Sequence, residues 1–326
     1  MTVRRLAVTL GDPGGIGPEI VLEAFSGRFC LPEAQYIIFG SSFILEETGR
    51  ARGTRLDLKP WDGPNSPGTS GFFLRDIKTG IKSVQRGSSS AENGEASFLF
   101  FREAVEAARR GDVQGLITAP ISKKSWNLAG AKWRGHTEYL AQFYPQAIMA
   151  FWSEKVKVAL LSHHLPLREA LDHITKERLL DYFLLMHRLL ERSHPGQFEF
   201  LVAGLNPHAG EDGLLGSEEI TEIIPAIQEA QRQGVRISGP YPPDTVFLQA
   251  LRKSGQFVLS LFHDQGLIAF KLQAFDTGVN VTLGMPFVRT SPDHGTAFDI
   301  AGKGVASPQS LVEAIRLAYA FSSVSD

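Results

Sequence analysis

Apolar positions along this chain fall into two patterns. Short unbroken runs occur in "RLAVTL" (5–10), "AQYIIFG" (34–40), "VQGLITAP" (113–120), "IMAFWS" (148–153) and "VKVALLSHH" (156–164). Similar runs open "FEFLVAGLNPHAG" (198–210) and "QFVLSLFHDQG" (256–266), and all seven read as buried strands that run into loops. Between them, apolar residues recur at spacings of three and four over 93–112, 176–193, 217–234 and 310–323, which predicts helices. Ser217 is the expected N-cap of the third of these and Gly234 its stop. A shorter helix is expected over 17–25, with Pro18 tolerated in its first turn. "PWDGPNSPGTSG" (60–71) is a loop by composition. Strand and helix alternate throughout with no fixed-period repeat, so the expected class is α/β with mostly parallel sheets.

The polar loops follow the strands, after Leu10, Ile117, Leu161, Ala203 and Phe262. In open α/β sheets the ligand crevice lies outside the carboxyl ends of the strands, so these loops share a plausible destination. The chain has 326 residues, a size at which roughly 75% of the unfolded surface is buried, and it suits two domains or two lobes. Apolar (43%) and charged (21%) fractions are ordinary, and a net charge of −2 gives no global bias toward nucleic acid or acidic membranes. The one cysteine, Cys30, excludes an intrachain disulfide and suits a reducing compartment. Arg4 and Arg5 precede too short an apolar run for a signal peptide, and no run is long enough to span a bilayer; a cytoplasmic location is expected.

Three clusters carry candidate chemistry. "GDPGGIGPE" (11–19) has Gly11, Gly14, Gly15 and Gly17, a composition that lets backbone amides approach an anionic ligand at a helix start, or that simply supplies a tight turn. No Gly-Lys-Ser/Thr follows, so it is not a Walker loop. Among nine histidines, His163 with His164, His208 and His263 lie at or just past strand ends. Three imidazoles so placed suit one divalent ion with open coordination positions, or else serve as hydrogen-bonding residues. Finally, His136 and Thr137 at an apparent helix start, with Lys271, Asn280 and Arg289, form a donor-rich set suited to a carboxylate or phosphate, although each alone reads as a surface pair or a cap.

Taken in order, "TLGDPGGIGPE", "ITAPISKKS", "GHTEYLA", "HLPLREAL", "GLNPHAGEDGLLGSEE", "GPYPPDTVF", "FHDQGLIAFK" and "GVNVTLGMPFVRTSPDHGTAFDIAGKG" resemble the 4-hydroxythreonine-4-phosphate dehydrogenase family of vitamin B6 biosynthesis. They run from residue 9 to 304. The resemblance implies an isocitrate/isopropylmalate dehydrogenase-like fold of two α/β lobes with a cleft between them. The first lobe (cofactor side) would comprise 1–125 and 270–326, and the second (dimer and metal-ligand side) 126–269. It implies NAD or NADP, one divalent ion per active site (zinc, magnesium or cobalt), and a cytoplasmic homodimer whose metal ligands come from both subunits. By motif, His164, His208 and His263 would be the metal ligands. His136, Thr137, Lys271, Asn280 and Arg289 would bind substrate. Gly14, Gly15, Gly295, Thr296 and Asp299 would face the cofactor. Apart from the motif, a lysine near a metal suits proton transfer, so Lys271 and Asp244 are the candidates for it, and Asp264 for orienting a ligand histidine. Ser122 stands where the family often has asparagine or histidine, and Ala269 where proline is common.

The implied reaction is oxidation of 4-phosphohydroxy-L-threonine to 2-amino-3-oxo-4-phosphooxybutanoate, which decarboxylates to 3-amino-2-oxopropyl phosphate on the way to pyridoxal 5'-phosphate. Rival expectations are a paralogous dehydrogenase acting on a phosphorylated sugar acid or a dihydrodiol carboxylate, a phosphate acyltransferase-type enzyme of similar fold, and a silent binding protein. The acyltransferase would need neither three histidine ligands nor "HGTAFDIAGKG", and the binding protein should have lost an anchor.

Overall fold

The computed structural model describes residues 3–64 and 68–322. Residues 65–67 of the loop read over 60–71, residues 1–2, and residue 323 at the end of the last expected helix lie outside the described residues. The chain divides into two compact units, Met1–Ala147 with Val279–Asp326, and Ile148–Gly278.

The first unit opens with β1 (Arg5–Thr9), α1 (Gly17–Ala24), β2 (Gln35–Gly40), α2 (Ser42–Arg52), β3 (Lys59–Pro60) and β4 (Gly71–Asp76). It continues with α3 (Ala91–Arg109), β5 (Gly115–Thr118), α4 (Lys123–Leu128) and α5 (His136–Ala141). The second unit runs β6 (Ile148–Trp152), β7 (Lys157–Leu160), α6 (Leu167–Leu171), α7 (Lys176–Ser193), β8 (Glu199–Ala203), α8 (Ile224–Arg232), β9 (Ile237–Tyr241), α9 (Val246–Ala250), β10 (Gln256–Ser260) and α10 (His263–Ala274). The chain then returns to the first unit as β11 (Val279–Leu283), β12 (Val288–Pro292) and α11 (Gln309–Phe321).

Strand order in the first unit is β3-β4-β2-β1-β5-β12-β11, and in the second β6-β7-β10-β8-β9. Among the described residues of each unit, only β11 against β12 and β6 against β7 pair antiparallel; the other paired strands are parallel. This is the mostly parallel α/β class expected from the alternating pattern. In the first unit the chain leaves β1 toward β2 and later returns to its other side with β5, so the loops after β1 and β5 meet at a reversal of strand order. In the second unit β10 lies between β7 and β8, both parallel to it, so the loops leaving all three emerge at one edge.

The division falls at Ile148 and Gly278, whereas the motif reading placed it near 126 and 269. The reason is apolar contact. Trp126, Tyr139 and Leu140 are buried in one core with Phe39, Phe73 and Phe101 of the first unit. Phe270 and Ala274 are buried with Val158, Leu201 and Val258 of the second. Several elements escaped the sequence pattern, among them β4 and α2. The six residues of β4, which follow the loop read over 60–71, pair in register along β2. In α2, Gly49 breaks the apolar period, and the helix closes on Gly53 at φ 63°.

Two local expectations are corrected. "HDQG" is the first turn of α10 rather than a loop, because Phe262 is extended and the Gln265 side chain accepts from the Leu261 amide (2.7 Å) and donates to the Gly204 carbonyl (2.7 Å). Ser217 does not cap by its side chain; its carbonyl accepts from both Ile220 and Thr221, and the helix enters through a wider π-helical turn, Glu219–Ile223, before α8.

Candidate active site

The glycine-rich turn after β1 is packed against protein. An ideal Cβ on Gly15 would stand 2.8 Å from Thr296 Cβ, and one on Gly14 would meet the carbonyls of Gln85 and Ser88 at 2.7 and 2.8 Å. The amides of Asp12, Gly14, Gly15 and Ile16 donate to Pro120 O, Asp12 Oδ1, Asp12 O and Thr296 O. The small side chains are thus required by chain-on-chain approach, and these four amides already have partners. Asp12 is fully buried at the junction of the two loops. Burial pushes its pKa up, and the Ser125 hydroxyl with the amides of Gly14 and Ser122 offsets this in part. Thr296 is half-buried, while Gly295 and Asp299 are exposed. Ser122 is committed locally: its Oγ caps α4 by accepting from the Ser125 amide (3.1 Å) and lies 3.0 Å from Ser89 Oγ.

Arg289 on β12 is a buried cation of the first unit. It is 4% exposed, and among the described residues no carboxylate lies within ion-pair distance of it. Its guanidinium donates to Thr118 Oγ1 from Nε (3.0 Å) and Nη2 (2.7 Å), to Thr282 Oγ1 (3.4 Å), and to His136 Nδ1 (3.0 Å). Burial pulls its pKa down to about 10. Since a guanidinium only donates, His136 Nδ1 is the acceptor and the ring proton sits on Nε2, which is buried with no partner. Asn280 Oδ1 on β11 is likewise buried and unpartnered, and Thr137 is half-buried on α5. A buried cation without a counter-charge, beside a donor with nothing to donate to, has the chemistry to receive an anion.

The same burial makes His136 a pH-dependent term in stability. Desolvation first, and the Arg289 charge second, hold its pKa well below 6.5. Below that pH the unfolded chain therefore binds more protons than the folded one, and stability is lost as pH falls. Unfolding free energy measured from pH 7.5 down to 5 should decline more steeply for the wild type than for His136→Gln, whose amide oxygen can still accept from Arg289. Parallel curves would show that residue 136 does not titrate on unfolding.

The second unit gathers imidazoles at the edge shared by β7, β10 and β8. The rings of His164 and His263 lie 5.7 Å apart by centroids. They line a cavity of about 280 Å³ with His163, Leu165, Leu167, Ala170, Phe262 and Asp264. His163 turns inward: its Nε2 donates to Leu160 O (3.1 Å), and burial, with the neighbouring His164, pulls its pKa down to about 4. His164 is exposed. His263 Nδ1 donates to Asp264 Oδ1 at 2.6 Å, which leaves Nε2 as the lone-pair nitrogen, the orientation that carboxylates impose on metal-binding histidines. Two imidazoles at this separation suit adjacent corners of a tetrahedral ion with metal–nitrogen bonds of about 2.0–2.1 Å. The donor set therefore fits a divalent metal in kind. Among the described residues, however, no three His, Cys, Asp or Glu side chains come together closely enough to hold one within a single chain. His208, the third expected ligand, is exposed on the turn after β8.

Lys271 lies two turns beyond His263 on α10 and is exposed. Asp244 is also exposed and lines a mostly apolar cavity of about 530 Å³ with Asp264, Gln265, Phe247 and Leu272. The structure thus brings together Arg289 with His136, and His164 with His263 and Asp264. Thr118 and Thr282, which hold the arginine in place, carried no signal in the sequence beyond their positions at strand ends.

A mostly parallel α/β fold with a buried Arg289–His136 pair in the first unit and, separately, an imidazole pair past the ends of β7 and β10 in the second has the character of an α/β enzyme. The family described as "Pyridoxal phosphate biosynthetic protein PdxA" matches residues 33–318. The chain is 40% identical over 323 residues to a 4-hydroxythreonine-4-phosphate dehydrogenase of Aquifex aeolicus (96% of this chain, 97% of that one). It is also 40% identical over 319 residues to a provisionally named D-threonate 4-phosphate dehydrogenase of Halalkalibacterium halodurans (96% and 95%). A solved 4-hydroxythreonine-4-phosphate dehydrogenase from Klebsiella pneumoniae superposes with a TM-score of 0.86 at 37% identity, covering 98% of this chain and 99% of that one. The chain belongs to the PdxA family.

Proposed function

We propose that the protein oxidises 4-phosphohydroxy-L-threonine with NAD or NADP to 2-amino-3-oxo-4-phosphooxybutanoate, which decarboxylates to 3-amino-2-oxopropyl phosphate, in pyridoxal 5'-phosphate biosynthesis in the cytoplasm. The observation that carries this reading is Arg289, buried without an anionic partner among the described residues, beside the unpartnered Nε2–H of His136. That pair, with Thr137 and Asn280, would hold an anionic group of the substrate, a phosphate or a carboxylate. Lys271 is the candidate for proton transfer, with Asp244 as its alternative. Thr296, Gly295 and Asp299 are the candidates for cofactor contact, with Gly14 and Gly15 shaping the turn beneath them. His164, His208 and His263 would hold the metal, with Asp264 orienting His263. A divalent ion held there, zinc, magnesium or cobalt, would supply Lewis-acid stabilisation of the charge that develops on the reacting oxygen, and a nicotinamide would supply the hydride acceptor.

A homodimer with ligands drawn from both copies is the proposed way to complete the set of three. The large apolar side chains Leu248, Ile268, Leu272 and Phe275 stand 57, 62, 80 and 66% exposed along α9 and α10, a face that suits a second copy.

The equal identity to a D-threonate 4-phosphate enzyme favours one second reading, in which the 2-amino group of the substrate is replaced by hydroxyl. NADH or NADPH formation with 4-phosphohydroxy-L-threonine, D-threonate 4-phosphate and unphosphorylated controls, with and without added metal, decides between them. The expected result is the highest kcat/KM for the amino substrate and at least a tenfold lower value for the hydroxy acid; the reverse order would assign the paralogous activity.

A further inference from the structure

The loop that carries His208 has an unusual backbone. His208, Ala209, Gly210, Glu211 and Asp212 all have positive φ, at 55, 54, 80, 42 and 54°. Consecutive left-handed residues with side chains are disfavoured by the contact of Cβ with the following carbonyl, and persist only where their surroundings over-determine them. Bonds at its two ends run from Ala209 N to Asn206 O, Leu214 N to Glu211 O and Leu215 N to Gly210 O, each at 3.1 Å.

What the turn wraps around is a carboxylate. Glu219 is 1% exposed. Its Oε1 accepts from the amides of Leu205 and Asn206, both at 2.7 Å, and its Oε2 from Asn206 Nδ2 at 2.8 Å. An ideal Cβ on Gly210 would stand 2.8 Å from Oε2, and one on Gly204 3.2 Å from Oε1, so the carboxylate fills the inner side of the turn. Among the described residues no lysine or arginine pairs with it. An anion held by amides alone forms strong, directional bonds, and here they fix the two residues that lead into Pro207 and His208. The side chain arrives from the π-helical turn Glu219–Ile223, and such turns are frequent at functional sites.

We infer that Glu219 is a positioning residue for metal binding: its buried carboxylate holds the loop after β8 in the left-handed turn that presents His208. This inference rests on the proposed metal site. A carboxylate that serves stability alone would hold the loop without affecting ion binding, and the two roles separate by experiment.

The test titrates full-length, metal-free protein with cobalt(II) and follows its visible absorption bands, beside thermal melting of the metal-free form. Glu219→Gln keeps the acceptor for the two backbone amides and loses the charge; Glu219→Leu loses both. The expected result is cobalt affinity weakened about tenfold in Glu219→Gln and about 100-fold in Glu219→Leu, the range found for groups that orient metal ligands. Turnover of Glu219→Gln should recover at saturating cobalt. If Glu219→Leu fails to fold, the graded loss in Glu219→Gln and in Glu219→Asp still decides the matter. Wild-type cobalt affinity in these variants, with only melting temperature lowered, would overturn the inference and leave the metal site standing. A wild-type protein that gives no cobalt spectrum at all would overturn the metal reading and this inference with it.

Discussion

Exchanging Arg289 for methionine should leave a protein at least as resistant to heat as the wild type that no longer holds its substrate. The guanidinium is 4% exposed and meets only hydroxyls and an imidazole, so the fold bears its desolvation without a counter-charge. Replacing a buried charge by an apolar side chain of similar length is often neutral or stabilising. The side chains left behind are tolerant: the Thr118 and Thr282 hydroxyls can rotate, and His136 can change tautomer. An unchanged melting temperature, or a rise of a few degrees, is therefore expected by calorimetry. Substrate affinity should move the other way, because truncating one member of a buried charge pair costs about 2–5 kcal/mol, roughly thirtyfold to several thousandfold in KM. The KM for NAD or NADP should change far less. A melting temperature lowered by many degrees with substrate KM unchanged would make Arg289 a structural residue.

His208→Asn should abolish most turnover and weaken metal retention while the assembly stays intact. Asparagine is chosen because His208 sits at φ 55°, where asparagine is among the best tolerated residues after glycine, so the imidazole is lost without forcing the turn. Loss of a ligand should cost at least the roughly 100-fold in metal affinity that marks the upper end for orienting groups. Equilibrium dialysis followed by metal analysis reads the retention, and sedimentation reads the assembly. Wild-type turnover that survives chelation would remove His208 from the ligand set.

Much of the fold was legible because burial leaves a periodic mark. The strands at 5–10, 34–40 and 113–120 and the helices at 93–112 and 176–193 reappear as β1, β2, β5, α3 and α7, each with a face or run that must leave water. The elements that were missed lacked such a mark. Gly49 interrupts α2, and β4 owes its strand to the six residues of β2 beside it. The site was legible as chemistry more than as geometry. His164 and His263 stood out as imidazoles at strand ends, and His136 and Arg289 as members of a donor-rich set, yet nothing local pairs Arg289 with Thr118 across 171 positions of sequence. Glu219 drew no attention within the helix expected over 217–234, and only the folded chain shows it enclosed by amides.

The sequence by itself determined the class of fold and the placement of polar segments after the strands, since these depend on composition and local period, and it offered candidates for binding an anion and a divalent ion. Only the tertiary structure decided that Arg289 is buried without a counter-charge, that His163 faces inward while His164 is exposed, that "HDQG" opens a helix, and that the His208 turn is left-handed around Glu219. The physical reason is common to all four: desolvation and hydrogen-bond pairing are properties of neighbours in space, and the neighbours concerned come from separate segments of the chain.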